Sequence, residues 1–313
     1  MRQVIIDKIS EQIAQGVYPG ASLALFSRGG WQEYYLGTQD GKKPVIAGLT
    51  YDLASVSKVV GVGTLAIFLV NNGVLALDRT VQSYYPAFAN HQVTIRQLLT
   101  HTSGIDPFIP NRDRMNAEQL KQAILRITVT DQKEFLYTDI NFLLLGFLIE
   151  ELMGDALDTL FQREIFQPFG MQQTSFGPVP LAVPTVKGIE SGHVHDPKAR
   201  VLRVHAGSAG LFSTVKDLEI FLEHYLKDDF ATHLLQDYGF DEKRKRSIAW
   251  DKKGDWLSHT GYTGTFIMYH RPLKKAAIFL SNRTFEKDER AKWKQDRNQL
   301  MTLIRKILEE EEV

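Results

Sequence analysis

The sequence predicts an α+β fold, in which one antiparallel β-sheet is flanked by N- and C-terminal helices and carries an inserted, mainly helical domain. Three observations support this prediction. Strand patterns occur near both ends of the chain, within residues 21–37 and 264–281. Amphipathic segments precede the first pair of strands and follow the second. Helical patterns fill most of the chain between them, so the chain leaves the sheet and later returns to it.

The N-terminal segment predicts a helix followed by a hairpin. Residues 3–15 place their aliphatic side chains on one side of a helix, and the segment from Gly16 to Gly20 ends it. Residues 21–27 and 31–37 are joined across Arg28-Gly29-Gly30, which is typical of a β-hairpin.

The segment from Tyr51 to Lys58 leads directly into the apolar helical run Val59–Val70. A serine three residues before a lysine at a helix start, here Ser55 and Lys58, places the hydroxyl and the amine on one face. The unpaired N–H groups of the helix N-terminus add hydrogen-bond donors for a developing oxyanion. This turn therefore combines a nucleophile, a base and an oxyanion donor.

The pattern alone is weak, because the chain contains a second copy at Ser213-Thr214-Val215-Lys216. That copy has a structural explanation. Thr214 is a suitable N-cap and Asp217 stands at the third helical position, so the segment predicts the start of an amphipathic helix.

The rest of the chain predicts helices, a long loop region and a last pair of strands. Asp139 is a suitable N-cap for a helix that begins at Ile140. A capping box at Thr94 opens a short helix. The other predicted helices cover residues 118–127, 141–153, 155–166, 215–227 and 293–308. The Pro- and Gly-rich residues 176–212 predict loops, and the strands 264–270 and 275–281 flank a turn.

These elements predict two interlocked domains. Residues 1–58 and 236–313 form a discontinuous sheet domain, and residues 59–235 form the mainly helical domain. The Ser55 turn stands at the boundary between them, so the active site is expected at their interface.

Composition excludes several classes of function. Lys and Arg total 37, as do Asp and Glu, so the net charge is zero and no basic field for nucleic acid is expected. The absence of cysteine excludes disulfides, thiol catalysis and cysteine-ligated metal. The N-terminus has no apolar core of signal-peptide length, and Val59–Val70 is shorter than the ~20 residues that span a bilayer. We therefore expect no transmembrane segment and a cytoplasmic location for the chain as written, or an extracytoplasmic one if a leader is missing.

Two further motifs follow Ser55-x-x-Lys58 in the chain. Tyr137-Thr138-Asp139 precedes an apolar helix, and His259-Thr260-Gly261 opens a predicted strand. The connecting segments Thr94–Gly104 and His205–Thr214 add to this pattern. With these motifs in this order, the chain resembles the serine β-lactamase and penicillin-binding-protein superfamily, in its class C β-lactamase-like and D,D-peptidase branch. The resemblance covers nearly the full length and implies the β-lactamase/transpeptidase-like fold.

The resemblance implies catalytic roles for three residues. Ser55 is the nucleophile that forms an acyl-enzyme, and Lys58 and Tyr137 share the proton transfers to and from it. The oxyanion hole of the family uses the N–H of the nucleophile and one N–H just after the third motif, which is that of Tyr262 in this chain.

The same resemblance implies a substrate-binding set. It comprises Asp139, His259, Thr260, Gly261 and Tyr262. His259 and Thr260 hold the substrate carboxylate or polarise the site, and Gly261 leaves the strand bare for the substrate backbone. The segment His193-Val194-His195-Asp196 offers metal ligands only superficially and corresponds to a loop around the site. No metal and no cofactor are therefore expected.

Two residues depart from the usual motifs of the family. His259 replaces a lysine, and since neutral imidazole attracts a carboxylate less than ammonium does, substrate binding is expected to depend on pH near 6–7. Asp139 replaces an asparagine, and a carboxylate beside Lys58 would favour the charged amine. Tyr137 would then carry more of the base role.

The expected function is a serine hydrolase acting on a D-Ala-D-Ala-type or other peptidoglycan-type peptide, a β-lactam or a related amide. An esterase on the same fold is one alternative. A non-catalytic penicillin-binding or sensing protein is another, and Asp139 is the feature that favours it. The acyl donor and the oligomeric state stay open at this point.

Overall fold

The computed structural model of the protein describes residues 1–311. The strands in this part of the chain are β1 (Gly20–Ser27), β2 (Gly30–Gly37), β3 (Tyr51–Asp52), β4 (Ser175–Phe176), β5 (Leu211–Ser213), β6 (Asp251–Lys253), β7 (Trp256–Thr260), β8 (Phe266–His270) and β9 (Lys275–Ser281).

The α-helices are α1 (Arg2–Ala14), α2 (Thr64–Asn71), α3 (Val81–Tyr84), α4 (Ile95–Thr100), α5 (Ala117–Leu125), α6 (Asp139–Met153), α7 (Leu157–Phe161), α8 (Gln167–Phe169), α9 (Pro197–Leu202), α10 (Val215–Lys227) and α11 (Arg290–Glu310). Shorter 3₁₀ and π-helical turns occur at Ala54–Val56, Val59–Gly63, Arg112–Arg114, Gln162–Phe166, Arg203–His205 and Asp229–Leu235.

Six strands form one antiparallel sheet in the order β2-β1-β9-β8-β7-β6. The N-terminal hairpin lies beside the last strand, with Ala21 opposite Ser281 and Phe26 opposite Ala276. The two ends of the chain thus meet in one sheet, and the predicted α+β fold is confirmed. A smaller sheet, in the order β3-β5-β4, lies next to Ser55.

The two faces of the large sheet pack against different parts of the chain. Because side chains alternate along a strand, Leu23 and Leu25 of β1 face the cluster formed with α1 and α11, whereas Ala24 and Phe26 face the larger cluster formed with the helical middle. This explains why every residue of β1 is buried. The boundaries 1–58, 59–235 and 236–313 stay a prediction.

Three local predictions were wrong. Thr138, not Asp139, is the N-cap of α6, since its hydroxyl accepts the Ile140 N–H at 3.2 Å and Asp139 is the first helical residue. His259-Thr260-Gly261 closes β7 instead of opening a strand, because the next strand starts only at Phe266. The presumed loop 176–212 contains α9, whose N-terminus is capped by Asp196.

One helical stretch, Ala54–Asn71, is by length and composition apolar enough to cross a membrane, with a mean hydropathy of 1.6. Of this stretch 78% is buried inside the protein, as in the core helix of a globular fold. It therefore gives only weak support to a membrane span.

Candidate active site

Ser55 lies in a tight turn whose backbone is strained just before it. Ala54 has a φ of 46°, a left-handed conformation that is unfavourable for a residue with a Cβ. The Asp52 carboxylate holds this turn, because its Oδ1 accepts the Ala54 N–H at 2.8 Å and its Oδ2 accepts the His195 N–H at 2.7 Å. Burial raises the pKa of Asp52 to about 6 despite these two bonds. Asp52 thus ties the Ser55 turn to the loop that contains His195.

Lys58 lies one turn after Ser55 and is completely buried. Its Nζ donates to Ser55 Oγ at 2.9 Å, to Asp139 Oδ1 at 2.7 Å and to the Ser208 carbonyl at 2.9 Å. An ammonium group has three hydrogens, and here each has an acceptor. These three contacts suit a charged lysine, whose ammonium has no lone pair with which to take the Ser55 proton.

Asp139 is held between two lysines. Its Oδ1 pairs with Lys58, and its Oδ2 lies 3.0 Å from the Nζ of Lys198, which is also 3.2 Å from Asp196 Oδ2. Lys198 is buried and follows the N-cap of α9 by two residues. The four side chains carry two positive and two negative charges and so balance one another.

The pKa values follow from this pairing. Burial alone would lower the pKa of Lys58, but the Asp139 carboxylate and, less strongly, Tyr137 outweigh it and raise the pKa above the ordinary lysine value. Burial would raise the pKa of Asp139, but Lys58 and Lys198 outweigh it and hold that pKa well below its usual range. Lys58 is therefore an ammonium and Asp139 a carboxylate at neutral pH, which agrees with the effect expected from the Asp139 replacement.

Tyr137 lies at the mouth of the site and is 40% exposed. Its ring centroid is 5.1 Å from Lys58 Nζ, 4.5 Å from the His101 ring and 6.3 Å from the His259 ring. His101 is itself fixed by a 3.0 Å hydrogen bond between its Nδ1 and the amide nitrogen of Asn141. The Tyr137 ring thus packs against His101 on one side and faces the pocket.

His259 is buried, and burial lowers its pKa well below the ordinary histidine value, with further lowering by Lys58 and Arg246. The ring is therefore neutral through pH 6–7. This burial argues against a pH dependence of substrate binding through His259 in that range, and the sequence did not show it; the dependence itself stays a prediction.

The residues after His259 are shaped by their neighbours. Thr260 Oγ1 accepts a hydrogen bond from Arg297 Nη1 at 3.1 Å. A Cβ at Gly261 would lie 2.5 Å from the Leu53 carbonyl oxygen, so glycine is needed for the end of β7 to approach the Ser55 turn. The Tyr262 ring stacks on the His195 ring, with the two centroids 5.3 Å apart. The Arg283 guanidinium lies 4.5 Å from the centroid of the Tyr262 ring.

All three motifs converge on one cavity of about 550 Å³. Its lining includes Ser55, Tyr137, His259, Thr260, Gly261 and Tyr262. Lys58 and Asp139 lie behind this lining, bonded to Ser55 and to each other. The structure thus brings together every predicted site residue, although their roles stay a prediction.

Some residues of the site were missed by sequence reasoning. Lys198 and Arg297 lie far from any motif in the chain, and only the Asp196-Pro197 pair, a typical helix start, gave a local signal for the position of Lys198. In residues 1–311 no group of three or more His, Asp or Glu side chains is arranged to hold a metal. His195 stacks on Tyr262 and Asp196 caps α9, which accounts for two members of the His193–Asp196 segment.

Comparisons with known proteins identify the family of the chain. A family model described as Beta-lactamase matches residues 5–301, so the chain belongs to the beta-lactamase family. A protein from Escherichia coli O157:H7, assigned by name as a D-alanyl-D-alanine carboxypeptidase, is 25% identical over 88% of this chain and 80% of its own length.

Solved structures show the same fold. A class C beta-lactamase superposes with a TM-score of 0.78 at 20% identity and covers 96% of this chain and 97% of its own. EstCE1, a hydrolase with promiscuous acyltransferase activity, superposes with a TM-score of 0.74 at 18% identity, covering 95% and 97% of the two chains. The fold is therefore that of β-lactamases and penicillin-binding-protein-like proteins.

Proposed function

We propose that this chain is a serine hydrolase that forms an acyl-enzyme on Ser55 and acts on a D-Ala-D-Ala-type peptide, a β-lactam or a related amide. The observation that carries the proposal is the 2.9 Å hydrogen bond between Ser55 Oγ and the buried Lys58 ammonium at an open pocket. The activity assigned by name to the Escherichia coli relative supports the peptidase reaction.

The arrangement favours Tyr137 over Lys58 as the group that moves the proton. Ser55 Oγ attacks the substrate carbonyl carbon, and its proton passes to the Tyr137 oxygen while Tyr137 gives its own proton to the leaving nitrogen. The bond between the carbonyl carbon and that nitrogen then breaks and leaves an ester on Ser55. Water attacks this ester with the proton transfers reversed, which releases the acid and restores Ser55.

Lys58 contributes through its charge. As an ammonium it stabilises negative charge that develops on Ser55 Oγ during the attack, and its bonds to Asp139 and Ser208 fix it in place. The N–H groups of Ser55 and Tyr262 are the proposed donors to the oxyanion, by analogy with the family.

The proposal is tested by following intact protein mass after incubation with a fluorescent penicillin and with a p-nitrophenyl ester. The wild type is expected to gain the mass of the acyl group, and Ser55→Ala is expected to gain nothing. Ser213→Ala is the matched control, because it removes the serine of the other Ser-x-x-Lys pattern, whose hydroxyl is bonded to Thr174 at 2.7 Å. Wild type that is modified by neither reagent and releases no product from either would contradict the proposal.

Esterase activity is the second candidate, and the neutral His259 favours it. Where the family usually places an ammonium, this chain presents a buried imidazole, which attracts a substrate carboxylate less strongly. Turnover of the p-nitrophenyl ester without a penicillin adduct would identify an esterase. A stable adduct that never releases product would instead identify the non-catalytic sensor.

A further inference from the structure

The cavity beside Ser55 continues as a groove between α11 and the β6–β7 hairpin. Its lining contains one carboxylate, Asp251, and eight cationic side chains. These cations are Arg244, Arg246, Lys253, Arg283, Arg290, Lys294, Arg297 and Arg305. Since the whole chain has a net charge of zero, this concentration is a local property of the groove and does not reflect a generally basic surface.

Four of the cations form a row on α11. Arg290, Lys294, Arg297 and Arg305 are separated by four, three and eight residues, and these spacings place them on one face of a helix. The row starts near Tyr262, whose ring centroid is 5.3 Å from the Arg290 guanidinium. Like charges at such spacings repel one another, so the row does not stabilise the helix.

Most of these cations have no acidic partner. Asp251 is shared by Arg244 at 3.0 Å and Arg246 at 3.1 Å, and Arg283 pairs with Asp288. Within residues 1–311, no carboxylate lies within 4.0 Å of the charged groups of the other five. These five are Lys253, Arg290, Lys294, Arg297 and Arg305. The positive charge of the groove is therefore largely uncompensated by the protein.

Several buried guanidinium nitrogens also lack hydrogen-bond acceptors. They are Nε of Arg246, Nη2 of Arg283, Nε of Arg297 and Nε of Arg305. Arg246 and Arg283 are only 2% and 3% exposed, so their unpaired N–H groups carry a substantial desolvation penalty. Burial lowers the pKa of Arg297 and of Arg305, which means that the folded protein disfavours their charges. An anionic ligand in the groove would relieve the repulsion between these charges.

The groove is joined to the reaction centre through the third motif. Arg297 Nη1 donates to Thr260 Oγ1 at 3.1 Å, and Thr260 follows His259 at the end of β7. A molecule whose scissile bond lies at Ser55 can therefore extend along α11 within the same cavity of about 550 Å³.

We infer that the substrate carries a polyanionic group, with at least two carboxylate or phosphate groups, which binds in the groove along α11 while the scissile bond lies at Ser55. This inference rests on the proposed function of Ser55. Guanidinium groups suit such a ligand because they bind carboxylate and phosphate oxygens in a forked, two-bond geometry. One carboxylate could not engage cations spread from Arg290 to Arg305, which is why the groove indicates multiple negative charges.

Binding is tested first without chemistry, by isothermal titration calorimetry on Ser55→Ala with pyrophosphate, tricarballylate and propionate. Pyrophosphate and tricarballylate distinguish a phosphate-type ligand from a polycarboxylate, and propionate represents a single charge. At least one polyanion is expected to bind about tenfold or more tightly than propionate, and its affinity is expected to fall as salt is added. Equal binding of all three anions, or none, would overturn the inference.

The site is then located with Lys294→Gln/Arg305→Gln in the same Ser55→Ala background. Polyanion affinity is expected to fall about tenfold or more. The matched control is Lys292→Gln/Lys306→Gln, which removes two charges from α11 outside the groove, where they pair with Asp296 and Glu310. An equal loss of polyanion affinity in both double variants would show a general charge effect and would overturn the assignment of the site to the groove. Circular dichroism verifies that both double variants are folded. The salt dependence of polyanion affinity is measured on protein without the groove substitutions, so that test does not depend on the folding of either double variant.

A substrate measurement separates this inference from the proposed function. The p-nitrophenyl monoesters of butyric and tricarballylic acid are compared by kcat/KM in active enzyme, and the dianionic ester is expected to be preferred. The preference is expected to fall in Lys294→Gln/Arg305→Gln and to persist in the control pair. Turnover of both esters without preference would overturn the inference but retain the hydrolase. Polyanion binding without acylation of Ser55 by any ester would contradict the hydrolase instead.

Discussion

Two regions of the active site differ in whether their charges are balanced by partners within the protein. Behind Ser55, Lys58 and Lys198 both bond to Asp139, at 2.7 and 3.0 Å, and positive and negative charges balance. In the groove beside α11, the cavity lining holds eight cations, four of them on α11, and a single carboxylate. The first region is complete without a ligand, so it fixes protonation states before substrate arrives. The second is electrostatically incomplete, so it is suited to select what binds.

The comparison distinguishes charges that stabilise the folded protein from charges that are suited to bind a ligand. Removing one member of a buried, paired set leaves an unpaired charge and destabilises a protein strongly. Removing a charge that is already unpaired relieves repulsion, as is common where a site is built for a ligand. Substitutions in the two regions should therefore have opposite effects on stability.

The largest effect is expected at Lys58. Lys58→Met leaves the Ser208 carbonyl without its donor and Asp139 with Lys198 alone, so the free energy of unfolding is expected to fall by about 3 kcal/mol. The acylation rate is expected to fall about 10³-fold because the charge beside Ser55 is lost. Chemical denaturation and a stopped-flow acylation assay measure the two changes. Lys216→Met, in the other Ser-x-x-Lys pattern, is the control and should keep the wild-type acylation rate. A similar loss of rate in Lys216→Met would contradict a specific role for Lys58.

Lys198 should have a smaller effect, through Asp139. The lowered pKa of Asp139 gives stability that is present above its ordinary pKa and is lost as the pH falls through the folded-state value. Lys198→Gln removes one cause of that lowering, so the acid limb of the pH–rate profile is expected to move to higher pH. The rate at pH 7 is expected to change by less than about threefold, because Asp139 stays ionised there beside Lys58. Lys187→Gln, an exposed lysine paired with Glu286, is the control and should leave the acid limb in place.

His259 should add no titration near neutrality. Because burial and the nearby cations keep the ring neutral, His259→Gln is expected to preserve the shape of the pH–rate profile between about pH 5.5 and 7.5, whatever the change in its height. Steady-state rates across that range measure this. Loss of an inflection near pH 6.5 in the variant would show that the ring does titrate in the folded protein.

The smallest effect is expected at Arg305. Arg305→Gln removes an unpaired, partly buried cation, so the free energy of unfolding is expected to stay the same or rise by about 0.5 kcal/mol. Lys306→Gln, an exposed neighbour, should change it by less than about 0.5 kcal/mol. Urea denaturation at low ionic strength compares them. A loss above about 2 kcal/mol at Arg305 would mean that the groove is structural.

The sequence predicted the part of the site that short motifs encode. Ser55 and Lys58 meet because helical spacing places them on one face, and the fold brings Tyr137, Asp139 and His259 to them. The sheet was also predictable, since strand patterns stand near both ends of the chain. Motif order and periodicity are local or family-wide signals, which a single sequence retains.

The position of Lys198 and the cationic groove depend on tertiary structure, which the sequence did not show. Nothing near Lys198 marks it as a partner of Asp139, because the two are 59 residues apart and meet only through the loop before α9. The zero net charge gave no sign of the groove, since the cations of α11 and of the β6–β7 hairpin are balanced by acids elsewhere on the protein. The expectation of no basic field for nucleic acid rested on the net charge of the whole chain, which does not report a local concentration of cations such as this cavity.

The protonation state of Lys58 is tested most directly by the pH–rate profile of acylation in wild type and Asp139→Asn. Without the carboxylate, burial dominates and the pKa of Lys58 falls, while Lys198 still has Asp196. The limb that requires a deprotonated base is expected to move to lower pH by about one unit or more, because Lys58 can then act as a base beside Tyr137. Superimposable profiles would contradict the assignment of Lys58 as an ammonium fixed by Asp139.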